Sequence, residues 1–452
     1  MKKLVLLLSF AFLILLLSCK KKSDKITTDP NAILSFSQTT LSFDTVFTSI
    51  GSITKRLWVY NDNSHAVTIS SIQLAKLYSS SYKLIIDGEK QTEVSDVVLK
   101  GKDSLLILVK VFINPQNQSL AYLVEDSIVF ATNGTIQDVD LSAYGQDANF
   151  YSTSILPCNV LWTNTKPYVL KGTITIAAGC TLTIDQGTRV RFHKDANLII
   201  NGTLITLGNK DSIITFKHDN LSDFFEELPG QWGGLIFNSG SKNNSIVFTE
   251  IKNATNAITL YPEMDGDTIA EVKIENTVVK NCSKNAITTY SSDFYALNSL
   301  ISNCAGYLVN ASSGGNYYFD FCTMTNYSYD FFREAPIMRF SNSDVTGSNA
   351  MNALLRNTIV WGDKTEELIL NNNNSSGFAL SANYSILRTS MPVTGIALLI
   401  NQSPLFENEY TKKFNLLPAS PAINSGNNYP IISTDLIGTA RDLSPDRGCF
   451  EK

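Results

Sequence analysis

The chain has 452 residues, of which 44% are hydrophobic, 10% aromatic and 17% charged, a composition typical of an ordered protein rather than a disordered one. Its formal net charge is −5, and no basic stripe of the kind that nucleic-acid binding requires is visible in the sequence. A chain of this length is expected to form two or three domains. We therefore predict no nucleic-acid partner.

Residues 1–18 have the pattern of a secretory signal peptide. Two lysines precede a largely apolar run from Leu4 to Leu17, which is too short and wrongly flanked to span a membrane. The ending Leu16-Leu17-Ser18-Cys19 resembles the lipobox of bacterial lipoproteins, in which the cysteine carries lipid chains after cleavage. The resemblance implies lipidation of Cys19 and a membrane partner. The alternative is a cleaved signal peptide without lipid.

Residues 19–34 are polar and basic, and we predict a flexible tether. Lys20, rather than Asp, follows the cysteine, which fits lipoproteins sent to the outer membrane. Triplets such as Asp44-Thr45-Val46 resemble O-glycosylation acceptors of Bacteroidetes periplasmic proteins, although the same triplets also begin strands. These resemblances imply a Bacteroidetes-type lipoprotein of the bacterial outer membrane, with its periplasmic or surface side left open.

Residues 35–147 are predicted to form a β-sandwich. Alternating apolar runs recur between turn clusters, and Asn133-Gly134 separates two of them as a two-residue hairpin signal. About seven short strands in such a length favour an immunoglobulin-like arrangement. The phrase FDTVFTSIGSITKRLWVYNDN (43–63) resembles the Ig-like modules of the abnormal-spindle/HYDIN type. The resemblance implies a spacer or contact surface.

Residues 148–425 show a repeat. Asn281, Asn303 and Asn326 are separated by 22 and 23 residues, and Asn253 precedes Asn281 by 28, an interval that contains the loop-like segment 261–272. A period of 22–23 with short strands predicts a right-handed parallel β-helix. Asparagine tolerates the left-handed conformation that a corner needs, and its amide can bond the next rung. These four asparagines are therefore predicted to form a structural ladder.

The phrase QWGGLIF (231–237) is similar to one common in secreted bacterial β-helix proteins, and the repeat resembles the pectate-lyase-like superfamily over roughly 160–425. The resemblance implies architecture more securely than activity. The all-β fold class is thus an Ig-like sandwich followed by a parallel β-helix and a capping tail.

Residues 426–452 are predicted to be that C-terminal cap. The segment SPAINSG (420–426) and the later Asp435, Arg441 and Asp446 resemble a tail that closes many such proteins. Arg441 is expected to hold the tail by charge-assisted bonds between the two aspartates. The alternative is a sugar-binding Arg–Asp cluster.

The cysteines and histidines leave two alternatives open. Cys282 and Cys304 follow ladder asparagines, so we predict a buried stack of thiols, with a disulfide as the alternative. No close metal-ligand spacing occurs, and no metal site is predicted, although His193 and His218, with Asp195 and Asp219, could form one.

Aromatic residues crowd positions 290–332, and outward tyrosines there could stack on sugar rings. The predicted glycan-binding residues are Tyr317, Tyr318, Asp320, Tyr327, Tyr329 and Asp330. Segment 222–230 is a candidate helical lid on the same face.

A lyase would need acids around Ca²⁺ and a basic residue. The candidates for that set are Asp293, Asp320, Asp330 and Asp344 with Lys280, Lys284 or Arg333.

No catalytic residues are assigned, because the motifs NTD, DD, GHG and RIK of glycosidases with this fold are absent. We predict a lipid-anchored envelope protein that binds a glycan or surface partner without catalysis and needs no cofactor. The alternatives are a polysaccharide lyase, with Ca²⁺, or a glycosidase, and a purely structural surface protein.

Overall fold

The computed structural model describes residues 24–261, 269–344, 347–374 and 376–452. The predicted signal peptide, Cys19 and the start of the tether lie outside these residues. The described part of the chain has no α-helix and confirms the all-β fold class, and no helix in it is long and apolar enough to cross a membrane. The chain divides into two compact units, one ending at Asp147 and the other beginning at Ala148.

The first unit is a sandwich of two five-stranded sheets whose buried alternate residues share one core. Asn133 and Gly134 both have positive φ between paired strands, which confirms the predicted hairpin. One sheet has, in spatial order, strands Ser35–Phe36, Lys55–Tyr60, Ser104–Val111, Tyr82–Ile86 and Glu89–Gln91. The other has Thr40–Phe47, Thr135–Gln146, Tyr122–Thr132, Val67–Leu74 and Glu93–Leu99. A 3₁₀ helix, Leu77–Ser79, joins the sheets.

The second unit is a parallel β-helix with three faces, because each coil contributes one strand to each of three columns of parallel pairings. Face 1 consists of Val160–Trp162, Thr181–Asp185, Thr203–Leu207, Asn244–Val247, Val272–Glu275, Phe294–Leu297, Gly315–Asp320, Met351–Arg356 and Phe378–Asn383. Alternate residues of these strands point into one continuous apolar core.

Faces 2 and 3 share the long first strands Asn149–Ile155 and Tyr168–Ile176, which run around the corner between them. Face 2 continues with Arg189–Phe192, Ile214–His218, Thr249–Lys252, Val278–Cys282, Leu300–Cys304, Thr323–Asn326, Ile359–Gly362, Ile386–Leu387 and Leu399–Ile400. Face 3 continues with Asn197–Ile200, Gly234–Phe237, Ile258–Leu260, Ile287–Tyr290, Val309–Ser312, Met338–Ser341 and Leu368–Asn371. There are also two short antiparallel hairpins, Ser343–Asp344 with Gly347–Ser348 and Phe406–Asn408 with Lys413–Leu416, and the second packs its apolar side chains against face 2.

The phrase QWGGLIF has a packing explanation. Trp232 stacks on Phe192 inside the helix, with ring centroids 3.9 Å apart, and its indole N–H donates to the carbonyl of Lys252 at 2.8 Å. A side chain at position 234 would place its Cβ only 1.8 Å from the backbone oxygen of Asn256. Glycine there lets successive coils approach each other closely.

The predicted asparagine ladder has one direct amide rung. Asn253, Asn281 and Asn303 have φ of 66°, 57° and 55°, as the corner requires. The Asn303 amide donates to the Asn281 carboxamide oxygen at 2.6 Å. Asn326 instead bonds the backbone of Cys304, and Asn253 donates to backbone carbonyls of Glu226 and Leu228.

The C-terminal tail lies along the sides of coils rather than only across an end. Arg441 donates to Asn298 at 2.9 Å and lies 4.4 Å from the Phe321 ring centroid. The backbone N–H of Gly448 donates to the carbonyl of Asn357 at 2.7 Å. The tail therefore covers coils whose strands come more than 80 residues earlier.

The expected charge pattern of the tail needs a correction. The carboxylate paired with Arg441 belongs to Glu451, at 2.8 Å, whereas Asp446 contributes only its backbone carbonyl to Arg441. The carboxylates of Asp435 and Asp446 accept backbone N–H groups of the tail instead, among them those of Glu451 and Asn424. Carboxylates that accept backbone amides fix the path of a chain as an ion pair would, so both aspartates remain structural parts of the tail.

Candidate binding surface

Three tyrosines come together beyond the end of face 2. Tyr327 and Tyr329 lie in the turn that leads from face 2 to face 3, and their rings stack 5.5 Å apart at 11°. Tyr410, in the turn of the C-terminal hairpin, contacts Tyr329 edge-on, with centroids 5.5 Å apart at 69°. We call these three residues the tyrosine platform.

The outer members of the platform face solvent. Tyr329 is 51% exposed and Tyr410 is 71% exposed, whereas Tyr327 is half-buried beneath them. Burial raises the pKa of Tyr327, so its hydroxyl stays protonated at neutral pH. Phe332, on the same turn, is also largely exposed. The two accessible phenol rings form a surface suited to stacking on a flat, partly apolar ligand.

Charged and amide groups border the platform. Asp330 accepts a hydrogen bond from the Asn303 amide at 3.0 Å and pairs with Lys412 at 2.5 Å. Glu409 lines the shallow depression between the rings and Lys412. Aromatic faces beside donors and acceptors are the combination that recognises a polar ring through its faces and hydroxyl groups.

The platform turn rests on a buried ion pair. The side chains of Arg333 and Glu367 are fully buried, and Arg333 Nη2 donates to Glu367 Oε1 at 2.6 Å. Arg333 also donates to the backbone carbonyl of Asn326 and lies 3.3 Å from Asp363. Because a buried pair with several partners has few alternative arrangements, it holds the turn that carries Tyr327 and Tyr329.

Two of the predicted glycan contacts are wrong. Tyr317 points into the core, fully buried, and its hydroxyl bonds Thr289 and the carbonyl of Gly314. Asp320 is also fully buried, held by two hydrogen bonds of 2.6 Å from Arg356. Alternate strand residues face opposite ways, and the side chain of Asp320 is enclosed by its partners, so neither residue can reach a ligand.

Tyr318 lies apart from the platform, on face 1. It lines a groove of about 620 Å³ with Asn352, Leu354 and Phe378. None of the described residues that line this groove is charged. The groove therefore offers apolar and amide contacts but no acid or base.

The acids considered for a lyase do not converge. Asp293 binds the amide of Asn316 at 2.8 and 2.9 Å, and Asp320 is paired with Arg356. Asp330 borders the tyrosine platform, and Asp344 lies in the short strand Ser343–Asp344. The described residues contain no group of three or more His, Cys, Asp or Glu side chains that could hold a metal ion.

Two of the basic residues considered for that chemistry are paired with acids outside the proposed set. Lys280 pairs with Glu250 at 2.8 Å, and Arg333 is committed to Glu367. Lys284 lies in a turn, where its backbone N–H donates to the carbonyl of Thr255. The arrangement of a base opposite a metal-binding acid cluster is therefore not formed by the predicted residues.

The histidines do not share a site. The Nδ1 atom of His193 lies 2.7 Å from Asp219 at the surface. His218 is buried, and burial lowers its pKa to about 4, so it is neutral at physiological pH. Asp195 occupies a left-handed turn position. The four residues suggested as a metal set thus separate into one surface pair and two residues with structural positions.

The candidate lid at 222–230 contains a 3₁₀ helix, Asp223–Phe225, and lies against the outer side of face 2. We call residues 219–230 the strap. Its Glu226 and Glu227 contact the cations of face 2 and the ladder residue Asn281. The sequence analysis predicted a lid in this segment but did not identify the residues that it contacts.

The cysteines show one pairing that the sequence interpretation missed. Cys282 and Cys304 are buried free thiols in register on adjacent coils, which confirms the stack. Cys158 and Cys180 form a disulfide across a separation of 22 residues. That separation equals the asparagine period, so the same period already implied that these two cysteines lie on adjacent coils.

Comparison with known proteins identifies no family. No protein-family model matches, and no curated protein matches in sequence. The solved structures to which the chain is similar include the catalytic domain of a GH87 α-1,3-glucanase in complex with tetrasaccharides, at 10% identity over 76% of this chain and 86% of that chain, with a TM-score of 0.29. They also include an ASH/PapD-like domain of human CEP192, at 11% identity over 29% of this chain and 98% of that chain, with a TM-score of 0.19.

A protein of unknown function from Porphyromonas gingivalis is similar at 13% identity over 28% of this chain and 60% of that chain, with a TM-score of 0.19. These likenesses are too distant to carry a functional conclusion.

Proposed function

We propose that the protein binds carbohydrate without catalysis, on the tyrosine platform, and is held at the bacterial outer membrane by lipid on Cys19. The observation that supports binding is the exposure of Tyr329 and Tyr410 beside Asp330 and Lys412. Ring faces stack on the apolar faces of sugars, and the bordering charges bond their hydroxyl groups.

Binding is favoured over hydrolysis by the state of Asp330, whose carboxylate already has partners. Asp330 is held by Lys412 and Asn303, whereas a glycosidase needs two carboxyl groups placed across the scissile bond. Elimination chemistry would need acids and a base that converge, whereas Asp320 is paired with Arg356 and Arg333 is paired with Glu367. A rigid turn that exposes tyrosine rings can bind a carbohydrate without any catalytic group.

The binding test uses the full-length protein in detergent against a panel of immobilised polysaccharides. Tyr329→Ala and Tyr410→Ala should each weaken binding of the recognised glycan by about tenfold, which corresponds to roughly 1.4 kcal/mol. Tyr78→Ala is the matched control, because Tyr78 is an exposed tyrosine of the sandwich. Equal binding by all three variants and the wild type would reject the platform.

Catalysis is tested on the same panel by following the release of new chain ends, with Ca²⁺ and with chelator. We expect no release with any polysaccharide. Release that stops in chelator would favour a lyase, and release that continues in chelator would favour a glycosidase. Either result would contradict non-catalytic binding.

The lipid anchor is tested separately. We expect the native protein to partition into the detergent phase and Cys19→Ser to remain in the aqueous phase, because the acyl chains contribute about 0.8 kcal/mol per buried CH₂. The intact mass of the native protein should exceed that of the polypeptide after signal removal by the mass of the acyl chains. Identical partitioning of both proteins would remove the anchor from the proposal.

A further inference from the structure

Four cations form a line on the outer side of face 2. Arg191 is in register with Lys217, and Lys252 is in register with Lys280, on neighbouring strands. The pairing of Phe216 with Ile251 places Lys217 next to Lys252. Because adjacent strands lie about 4.8 Å apart, the line presents one positive charge per coil along the helix axis. We call these four residues the cationic stripe.

Two carboxylates of the strap occupy this stripe. Glu226 accepts from Lys217 at 2.8 Å and from Lys252 at 2.7 Å, and Glu227 lies 3.2 Å from Lys252. Lys280 pairs with Glu250 of the sheet itself. With the strap closed, four cations face three carboxylates. With both strap glutamates displaced, the same four cations would face only Glu250.

The cations are covered, whereas the carboxylates that cover them are open to solvent. The Lys252 side chain is 4% exposed, but the Glu226 side chain is 42% exposed. Arg191 is 9% exposed, and its Nη1 atom has no hydrogen-bond partner. The stripe therefore holds an unused donor, although buried guanidinium groups are normally fully bonded.

The middle of the strap is held mainly by polar contacts. Its ends are fixed by backbone bonds from Asp219 to the carbonyl of Phe192 and from Gly230 to that of Ala254. Between them, Phe224 is largely exposed, and Asn253 donates to two strap carbonyls. Partly exposed ion pairs contribute only about 0–1 kcal/mol each, so competing anions can replace them.

We propose that the cationic stripe binds the carboxylate or sulfate groups of an acidic polysaccharide, and that Glu226 and Glu227 occupy those positions until the ligand displaces them. The inference rests on the proposed function in taking the ligand to be a glycan, and it adds the class of glycan. A charge repeated once per coil matches a linear polymer with regularly spaced anions.

The position of the stripe connects it with the platform. Glu227 accepts from the amide of Asn281, and Asp330 accepts from that of Asn303. Asn281 and Asn303 are bonded to each other on adjacent coils. One polymer chain lying along this corner would reach the tyrosines with some units and the stripe with others.

The test compares three polysaccharides on the full-length protein in detergent: alginate, which carries carboxylates, dextran sulfate, and neutral dextran. The variant Glu226→Gln/Glu227→Gln removes both masking charges with little change in size. We expect it to bind the acidic polymers about tenfold more tightly than the wild type, since less binding energy goes into opening the strap. Asp223→Asn, an exposed charge removal in the same strap, is the control and should leave the affinities unchanged.

A second variant, Lys217→Gln/Lys280→Gln, removes two charges of the stripe itself and keeps both strap glutamates. It should weaken acidic-polymer binding at least tenfold without changing the thermal midpoint of the sandwich. A gain confined to alginate or to dextran sulfate identifies carboxylate or sulfate as the recognised group. Acidic-polymer affinities that are the same in the wild type and both double variants would overturn the inference.

The outcomes separate this inference from the proposed function. If a neutral glycan of the panel binds and Tyr329→Ala weakens it, while neither double variant alters binding of the acidic polymers, the platform stands and the stripe fails. If no polysaccharide of any class binds, the proposed function fails with it. If the acidic polymers bind through the stripe and Tyr329→Ala has no effect, the stripe stands and the platform fails.

Discussion

The side-chain amide of Asn303 donates to the carboxamide oxygen of Asn281 at 2.6 Å, although the two residues are 22 positions apart. Both have positive φ, and both are buried. The bond therefore links two successive corners at the place where each backbone adopts a conformation that most residues avoid. Asparagine therefore has two roles at the corner: its backbone tolerates positive φ, and its amide bonds the next coil.

The two roles can be separated by substitution. Asn303→Ala should lower the free energy of unfolding by about 2–4 kcal/mol, because it leaves the Asn281 oxygen unsatisfied and puts alanine, which tolerates positive φ less well than asparagine, in a left-handed position. Asn303→Gly removes the amide but tolerates the φ, so its loss should be about 1 kcal/mol smaller. Urea denaturation of both variants measures the difference. Equal losses would mean that the backbone conformation contributes nothing.

The buried pair of Arg333 and Glu367 should control the platform. Arg333→Leu leaves a buried carboxylate without its cation and should cost about 3–5 kcal/mol, while Arg333→Leu/Glu367→Leu should recover most of that loss. Hydrogen exchange of residues 327–337 should accelerate in the single variant. The prediction is contradicted if the double variant is as unstable as the single one, since the cost would then come from packing and not from the unpaired charge.

The disulfide and the free thiols should be distinguishable chemically. Alkylation of the denatured, unreduced protein should label Cys282, Cys304, Cys322 and Cys449, and leave Cys158 and Cys180 unlabelled. Replacing Cys158 and Cys180 by serine should destabilise the first coils by about 3 kcal/mol, because the bond closes a loop of roughly 20 residues in the unfolded chain. Cys282→Ser/Cys304→Ser is the comparison pair with the same spacing. Labelling of Cys158 or Cys180 would contradict the assignment.

Acid should open the strap. Burial alone would raise the pKa of Glu226, but hydrogen bonds and charges from Lys217 and Lys252 lower it to about 2. Burial also opposes the lowered pKa of Glu227, which results from its bond with Asn281 and the charges of Lys252 and Lys280.

A depressed carboxyl pKa stabilises the closed strap above the ordinary value of 4.5, and this contribution disappears as the pH falls from 4.5 towards 2. Hydrogen exchange of residues 219–230, corrected for the intrinsic rate, should therefore be constant from pH 7 to 5 and accelerate below pH 4. Glu226→Gln should show fast exchange at every pH. If hydrogen exchange of residues 219–230 in the wild type is equally slow at pH 7 and pH 3, the idea that ion pairs hold the strap closed is contradicted.

The repeat was predictable from the sequence because an asparagine recurs at the same corner of successive coils. The spacing of these asparagines therefore equals the length of one coil. The same arithmetic could have located the disulfide between Cys158 and Cys180. Whether an individual side chain points into the core or towards solvent was harder to predict from the sequence. Tyr317 and Tyr318 are neighbours, and a shift of one residue in the strand exchanges the buried one for the exposed one.

The assembled surfaces were beyond sequence reasoning because distant segments complete them. Tyr410 joins Tyr329 from a hairpin about 80 residues further along the chain. Glu226 meets Lys252 only because the strap folds back over the face 2 strand that precedes it and reaches the strand that follows. Neither contact follows from local pattern or propensity, since each depends on the length and path of an irregular segment.

The bond between Arg441 and Asn298 has a consequence for the order in which the molecule is built. The coils from Asn298 to Asn357 can wind before the tail exists, but the outer surface around Phe321 stays open until residues 441–448 arrive. Contacts over such separations form late in folding, because a long loop must close first. A chain whose synthesis stops before residue 441 would therefore have folded coils with an exposed outer surface around Phe321. Proteases could distinguish this incomplete chain from the complete protein by that exposed surface alone.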